Sequence, residues 1–237
     1  GSSLFNGDAG SGPSEIRRYL IENDWLDAIV QLPNNAFYNT GIATYIWIVM
    51  KNKPAIHQGK VQLIDASGCA SSRRKNIGSK NVDISKACRD LIIEAYGAYV
   101  DGTYNGVDEN DNTIIVKSKV MDAIDLGYNK IVVETPQFDD DGNIIMKKKK
   151  PVADTSKRDT ENVPLAEDID AYFEREVIPY NPHAWIDKAK TKVGYEIPFT
   201  RTFYEYKQIE PSDVIAARIE KHEKSLMAKL HDLFGGE

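Results

Sequence analysis

Asp24-Trp-Leu-Asp-Ala-Ile-Val-Gln-Leu-Pro-Asn-Asn-Ala-Phe-Tyr-Asn-Thr-Gly-Ile-Ala-Thr-Tyr-Ile-Trp-Ile-Val-Met50 reads strand, loop, strand, and this stretch decides the fold class. Ala28 to Leu32 is a short apolar run closed by Pro33. Ile42 to Met50 is a nearly unbroken run of β-branched and aromatic residues, ended by Lys51-Asn52-Lys53-Pro54. Apolar runs without clean alternation belong to strands buried on both faces, as in the central sheet of an α/β protein. Between the two runs, Asn34 to Gly41 sets Phe37 and Tyr38 side by side in a loop of turn formers. Loops at the ends of central strands are where α/β sheets bind ligands. The plainer alternative is that both rings fold back to cover the strand ends.

Composition narrows the rest. The 237 residues, 41% hydrophobic and 28% charged, suit an ordinary soluble protein with one sizeable core or two smaller domains. A formal charge of −6 excludes a chain that grips nucleic acid over its whole surface, so any DNA contact must be a patch. Cys69 and Cys88 are too few for a disulfide framework, and neither has a partner at metal-ligand spacing. No metal site is expected, and both thiols read as inert. No apolar run approaches the roughly 18 to 20 residues that span a bilayer, and no charged-then-apolar signal pattern opens the sequence. The expectation is a cytoplasmic protein with no membrane contact. Gly1-Ser-Ser-Leu-Phe-Asn-Gly7 has no initiator Met and begins in a loop, so the chain is expected to be a fragment of a longer one.

Along the chain, Gly7 to Gly12 is a Gly-rich loop, and Pro13 and Glu15 open a helix reaching about Asn23. Its apolar stripe is expected at Ile16, Tyr19 and Leu20, with Arg17 and Arg18 facing elsewhere. No Gly-Lys-Ser/Thr or Gly-x-Gly-x-x-Gly spacing follows, so phosphate binding there is a weak reading. Gly59 to Asp65 is a further strand. In Arg73-Arg-Lys-Asn-Ile-Gly-Ser-Lys80, the cations Arg73, Arg74, Lys75 and Lys80 are candidates for a DNA phosphate backbone. The alternative is a solvated loop. Asp83 is expected to cap a helix to about Tyr96 with Cys88 in its core face. Asp101 to Asn112 reads as a loop, and Leu126 to Glu134 as a strand. Asp139-Asp-Asp-Gly142 signals a hairpin between Ile131-Val-Val133 and Ile144-Ile-Met146. The Lys147 to Lys150 run is expected to pair locally with that acidic turn, the alternative being DNA binding, and Pro151 to Asn162 to be polar and flexible. A helix is expected from about Glu167 to Val177. A final helix from Pro211 to about Phe234 carries an apolar stripe at Ile215, Ile219, Leu226 and Leu230, interrupted by His222. It docks either on its own domain or on a partner.

Leu32-Pro33, Phe37-Tyr-Asn-Thr-Gly-Ile42 and Thr44-Tyr-Ile-Trp-Ile48, preceded by Gly7-Asp-Ala-Gly-Ser-Gly12 and Glu15-Ile-Arg-Arg18, resemble the modification (M) subunit of type I restriction-modification systems. Leu126-Gly-Tyr-Asn-Lys-Ile-Val-Val-Glu134 and Lys192-Val-Gly-Tyr-Glu-Ile-Pro-Phe-Thr-Arg-Thr-Phe-Tyr-Glu-Tyr206 extend the likeness. Leu126, His183 and the longer hairpin with Lys147 to Lys150 depart from it. Such subunits are adenine-specific DNA methyltransferases that use S-adenosylmethionine and assemble with specificity (S) and restriction (R) subunits. The resemblance implies an α/β fold: the C-terminal half of a Rossmann-like S-adenosylmethionine-dependent methyltransferase sheet, then a mixed α+β region and a C-terminal helical segment. The divisions are expected at 1–100, 101–206 and 207–237.

It further implies that Phe37, with Tyr38 as the fallback, stacks on an adenine flipped from the duplex, that Asn39 and Thr40 add polar contacts, and that the terminal helix meets the specificity subunit. The acidic Gly-rich turn and the Asn-Pro-Pro-Tyr motif of the family do not occur here, and Asn181-Pro182 is not that motif. Catalytic residues are therefore expected upstream, and the fragment alone is expected to be inactive. Two other readings are a non-enzymatic module that binds protein or DNA, and the methyltransferase part of a fused restriction-modification enzyme.

Overall fold

In the computed structural model, residues 4–206 and 209–234 are described. Helix α1 (Gly12–Glu22) starts at Ser11, whose Oγ accepts from the Ser14 amide, with Pro13 in its first turn. Strands β1 (Leu26–Gln31) and β2 (Tyr45–Val49) flank the aromatic loop, and β3 (Lys60–Asp65) follows. Then come β4 (Ser71–Ile77), β5 (Lys80–Asp83), α2 (Lys86–Ala98), β6 (Gly102–Val107), β7 (Thr113–Asp122) and β8 (Gly127–Glu134). The remainder is β9 (Met146–Lys147), β10 (Lys150–Pro151), β11 (Asp159–Pro164), α3 (Ile169–Glu176), β12 (Trp185–Ile186), β13 (Lys192–Tyr195), α4 (Phe199–Thr202) and α5 (Ser212–Phe234). The chain forms two compact units, one running through Phe203 and one from Tyr204 onward.

The main sheet has the order β2-β1-β3-β7-β6, with β1 and β3 parallel and the other neighbours antiparallel. Ala28, Ile29, Leu63 and Ile64 are fully buried because both sheet faces are covered. Ile29, Val61 and Leu63 pack with Ile21 of α1 on one face; Val30, Ile64 and Val116 pack with Cys88, Leu91 and Ala95 of α2 on the other. The α/β expectation holds. A second sheet is built on β8, which pairs with β11 on one side and with β12 and β13 on the other. Ile131, Val133 and Val163 of that sheet pack against Phe173 of α3.

The two layers are stitched together by a side chain expected to face away. Arg17 is fully buried. Its Nε donates to the Tyr195 carbonyl, Nη1 to Leu4 O (2.9 Å) and Asn6 O (2.8 Å), and Nη2 to Gly7 O (2.8 Å). The guanidinium fork alone presents enough fixed donors for four carbonyls. The buried face of α1 is thus Ser14, Arg17 and Ile21, while Ile16 and Tyr19 are exposed.

Other expectations also give way. β2 is not a buried central strand but the edge of the main sheet among the described residues, and Ile42, Ile46 and Val49 are exposed. The basic segment is a hairpin, β4 with β5, not a loop. Ser85 caps α2 by accepting from the Cys88 amide, because Asp83 is drawn into ion pairs with Arg73 and Lys80. Residues 102–107 form a strand along β7, and the Asp108 carboxylate takes the amides of Asn110 and Asn112 to close the turn. The Asp139 turn forms, but it joins Phe138 to Ile144 instead of extending β8. Asp159 to Asn162, expected to be flexible, pairs along β8. Lys147 to Lys150 make no ion pair with the acidic turn: Asp139 accepts from the Asp141 and Asn143 amides of its own turn instead.

Candidate functional site

The loop from Asn34 to Gly41 leaves the C-terminal end of β1, the usual ligand end of a sheet with parallel strands. Leu32, Pro33 and Ala36 are buried and root it. Asn35 and Asn39 adopt left-handed conformations (φ 58° and 52°), which Asn tolerates better than most residues. They bracket the two rings, and a bridge between Phe37 and Thr40 together with a Thr40 Oγ1 to Tyr38 O bond (3.1 Å) closes the tip. The loop therefore turns both rings outward: Phe37 is 46% and Tyr38 61% exposed. They do not fold back to cover the strand ends.

The β4–β5 hairpin lies against this loop. Lys80 Nζ donates to Ala36 O (2.9 Å) and sits 5.7 Å from the centre of the Tyr38 ring, a cation over a π-face. Asn81 N donates to Asn35 O (3.3 Å). Lys80 also pairs with Asp83 (2.9 Å), as does Arg73. Hydrogen bonds from Lys80 first and Arg73 second hold the Asp83 carboxyl below the usual carboxylate range. Of the four cations proposed from sequence for phosphate, Arg73 and Lys80 are thus engaged internally. Arg74 and Lys75 are exposed, and among the described residues neither side chain has an ion-pair partner. Sequence alone hides this division, since all four are Lys or Arg in one run. The signal that hints at it is Asp83, three residues after Lys80.

At the opposite end of β1, Asp27 is buried and accepts from Tyr96 Oη (2.6 Å) and bonds His57 Nδ1 (2.9 Å), while the His57 ring stacks on Tyr99 at 3.5 Å. Burial, then the hydrogen bond to Asp27, pushes Tyr96 up to about 12. This network braces the sheet at the end remote from the aromatic loop. A cleft of about 680 Å³ at that same end is lined by Lys60, Tyr99, Lys119 and Arg201 and reaches no residue of the loop. Burial and the neighbouring Cys88 push the Cys69 thiol up to about 12, so it is a packing residue.

The Gly7–Gly12 loop does not present a ligand cradle. Asp8 is tied to Lys130 (2.6 Å), Gly7 O is taken by Arg17, and the Lys192 side chain fills the space beside Gly10. Its residues do not fit S-adenosylmethionine. Among the described residues no group of three or more His, Cys, Asp or Glu could hold a metal ion, and no helix is long and apolar enough to cross a membrane. On α5, Ile215 is half-buried, and Ile219, Leu226 and Leu230 are exposed.

A family described as N-6 DNA methylase matches residues 2–136, more than half of the chain. This chain belongs to the N-6 DNA methylase family. Its aromatic loop and basic hairpin both lie within the matched residues. The chain is 40% identical over 81 residues to the type I restriction enzyme MjaIX methylase subunit of Methanocaldococcus jannaschii, covering 32% of this chain and 14% of that one. It is 36% identical over 70 residues to the type I restriction enzyme MpnII methylase subunit of Mycoplasma pneumoniae, covering 29% and 12%. The matches therefore span only a small part of these relatives. A solved methyltransferase subunit of a type I restriction-modification system from Streptococcus thermophilus superposes with a TM-score of 0.39 at 24% identity, over 53% of this chain and 22% of that one. The resemblance to type I methylase subunits stated from the motifs is borne out.

Proposed function

We propose that this chain forms the base-capturing part of an adenine-specific DNA methyltransferase of the type I restriction-modification kind. In this reading the methyl donor is S-adenosylmethionine, held by residues outside this chain, and the partners are a specificity and a restriction subunit in the cytoplasm. The observation that carries the reading is the pair of exposed rings, Phe37 and Tyr38, on a loop fixed by two left-handed asparagines and the Lys80 contact. Chemistry on a base requires it to leave the stack, and a flipped base needs a π-face to receive it. Phe37 receives the adenine, Tyr38 flanks it, and Asn39 and Thr40 supply polar groups at its edge. Arg74 and Lys75 meet the backbone phosphates beside it, while Arg73 and Lys80 keep the hairpin against the loop. The stripe at Ile215, Ile219, Leu226 and Leu230 docks on the specificity subunit. This chain by itself transfers no methyl group.

The test is methyl transfer from labelled S-adenosylmethionine to duplex DNA by the full-length protein with its specificity subunit. Label recovered as N6-methyladenine supports the reading. Label on cytosine, or none despite donor binding, contradicts it.

A further inference from the structure

The Lys147 to Lys150 run is placed where it works against the fold. Lys148 and Lys149 form the two-residue turn of the β9–β10 hairpin, with φ of 52° and 64°. Both residues are left-handed, as a type I′ turn demands, and such turns strongly prefer Asn-Gly. Each L-residue without special tolerance costs about 1–2 kcal/mol in that region. Lys147 and Lys150 are direct cross-strand partners, so like charges face each other at the base of the turn. All four side chains are exposed, and among the described residues no ion pair or side-chain hydrogen bond engages any of them. Among the described residues none of the four lysines forms an ion pair with Asp139, Asp140 or Asp141 of the nearby acidic turn, and the Asp139 carboxylate accepts from the amides of its own turn.

The tip is nevertheless held in a defined place. Pro136 bridges Ala153, Gln137 N donates to Val152 O, Asp154 N donates to Thr135 O, and Phe138 packs edge-on against His183. From Ala153 to Lys150 the strand rises about 10 Å at the usual 3.4 Å per residue. Four unpaired cations are thus presented on a rooted ribbon in a chain whose net charge is −6. Backbone strain and self-repulsion at one spot, with no ion pair among the described residues to offset them, suit an external polyanion.

We propose that the Lys147–Lys150 turn is a second DNA-backbone contact, distinct from Arg74 and Lys75. It rests on the reading that the protein works on DNA. Lysines act there as flexible point charges on phosphates, adding affinity and salt dependence but no sequence choice.

The experiment is duplex binding by the full-length protein with its specificity subunit, followed by fluorescence anisotropy from 50 to 200 mM salt, with adenine methylation measured in parallel. Two variants are compared with wild type: Lys148→Asn with Lys149→Gly, and all four lysines replaced by Gln. Each phosphate contact contributes about 0.9 to the slope of log affinity against log salt. The slope should become shallower by roughly 2 in the first variant and 3 to 4 in the second. The Asn-Gly variant should also melt at a higher temperature, because its turn is relaxed, so weaker binding cannot be ascribed to misfolding. A quadruple variant with the wild-type slope, in a preparation whose wild type methylates adenine, overturns this inference and leaves the proposed function standing. A wild type that neither binds nor methylates DNA overturns both.

Discussion

Replacing Arg17 by Met tests the join between the two sheets. Met keeps most of the aliphatic stem of arginine but none of its donors. The change removes four hydrogen bonds from one charged group to the carbonyls of Leu4, Asn6, Gly7 and Tyr195. Bonds to a charged group contribute about 1.5–3 kcal/mol each, so the gross loss is roughly 6–12 kcal/mol. Against it stands the desolvation of the guanidinium, several kcal/mol, which the variant no longer bears. The expected net cost is about 3–5 kcal/mol, a large share of the roughly 5–15 kcal/mol that stabilises a typical domain. At about 2–4 °C per kcal/mol for a protein of this size, the melting temperature should fall by roughly 6–20 °C. Thermal and urea unfolding followed by circular dichroism give both numbers. Arg17→Lys should recover only part of the loss, since one ammonium cannot reach four separated carbonyls. A Met variant within about 0.5 kcal/mol of wild type, the range of ordinary surface substitutions, would refute the account of Arg17.

Three further outcomes follow from the geometry. Lys80→Ala should free the Ala36–Tyr38 segment and lower methylation kcat/KM by about tenfold or more, the loss of one charged hydrogen bond, with partial rescue by Lys80→Arg; kinetics of the full-length enzyme decide it. Gly194→Ala should destabilise by about 1–3 kcal/mol or more in urea unfolding, because its Cβ would lie 2.5 Å from Tyr128 Cζ and 2.9 Å from Ala9 Cβ. Cys69 should resist alkylation at pH 8 in the folded protein and react on unfolding. Its raised pKa also means that the unfolded chain releases the proton first, so this thiol's contribution to stability is complete below about pH 8.5 and declines as pH rises above it.

The elements legible in the sequence were those whose signal is local. β1 follows from an apolar run closed by Pro33, β8 from alternation, and α5 from a long helical period after Pro211. The aromatic loop was legible for the same reason: Asn, Thr and Gly around two rings admit little but a turn. Arg17 was not, because periodicity ranks arginine as an outward residue and the four carbonyls that reward its burial come from Leu4 to Gly7 and from Tyr195, far along the chain. β6 was missed because Gly, Asn and Asp dominate its neighbourhood, although Thr103, Tyr104 and Val107 carry the strand once β7 is alongside. The Asp83 and Ser85 exchange has the same origin. Both are good caps, and only the hairpin cations decide which is free. Within the site, ring exposure could not be read from spacing, since a covering and a presenting loop share one composition.

The most direct test of the central claim is base capture by Phe37. Wild type and Phe37→Ala full-length enzyme, each with the specificity subunit, are compared for fluorescence of 2-aminopurine at the target adenine and for S-adenosylmethionine binding. Stacking on an aromatic contributes about 1–3 kcal/mol per base, so capture of the flipped base should fall about 5- to 150-fold while donor affinity is unchanged. Equal 2-aminopurine signals and equal methylation in the two proteins would contradict the claim and reduce this loop to a structural connection.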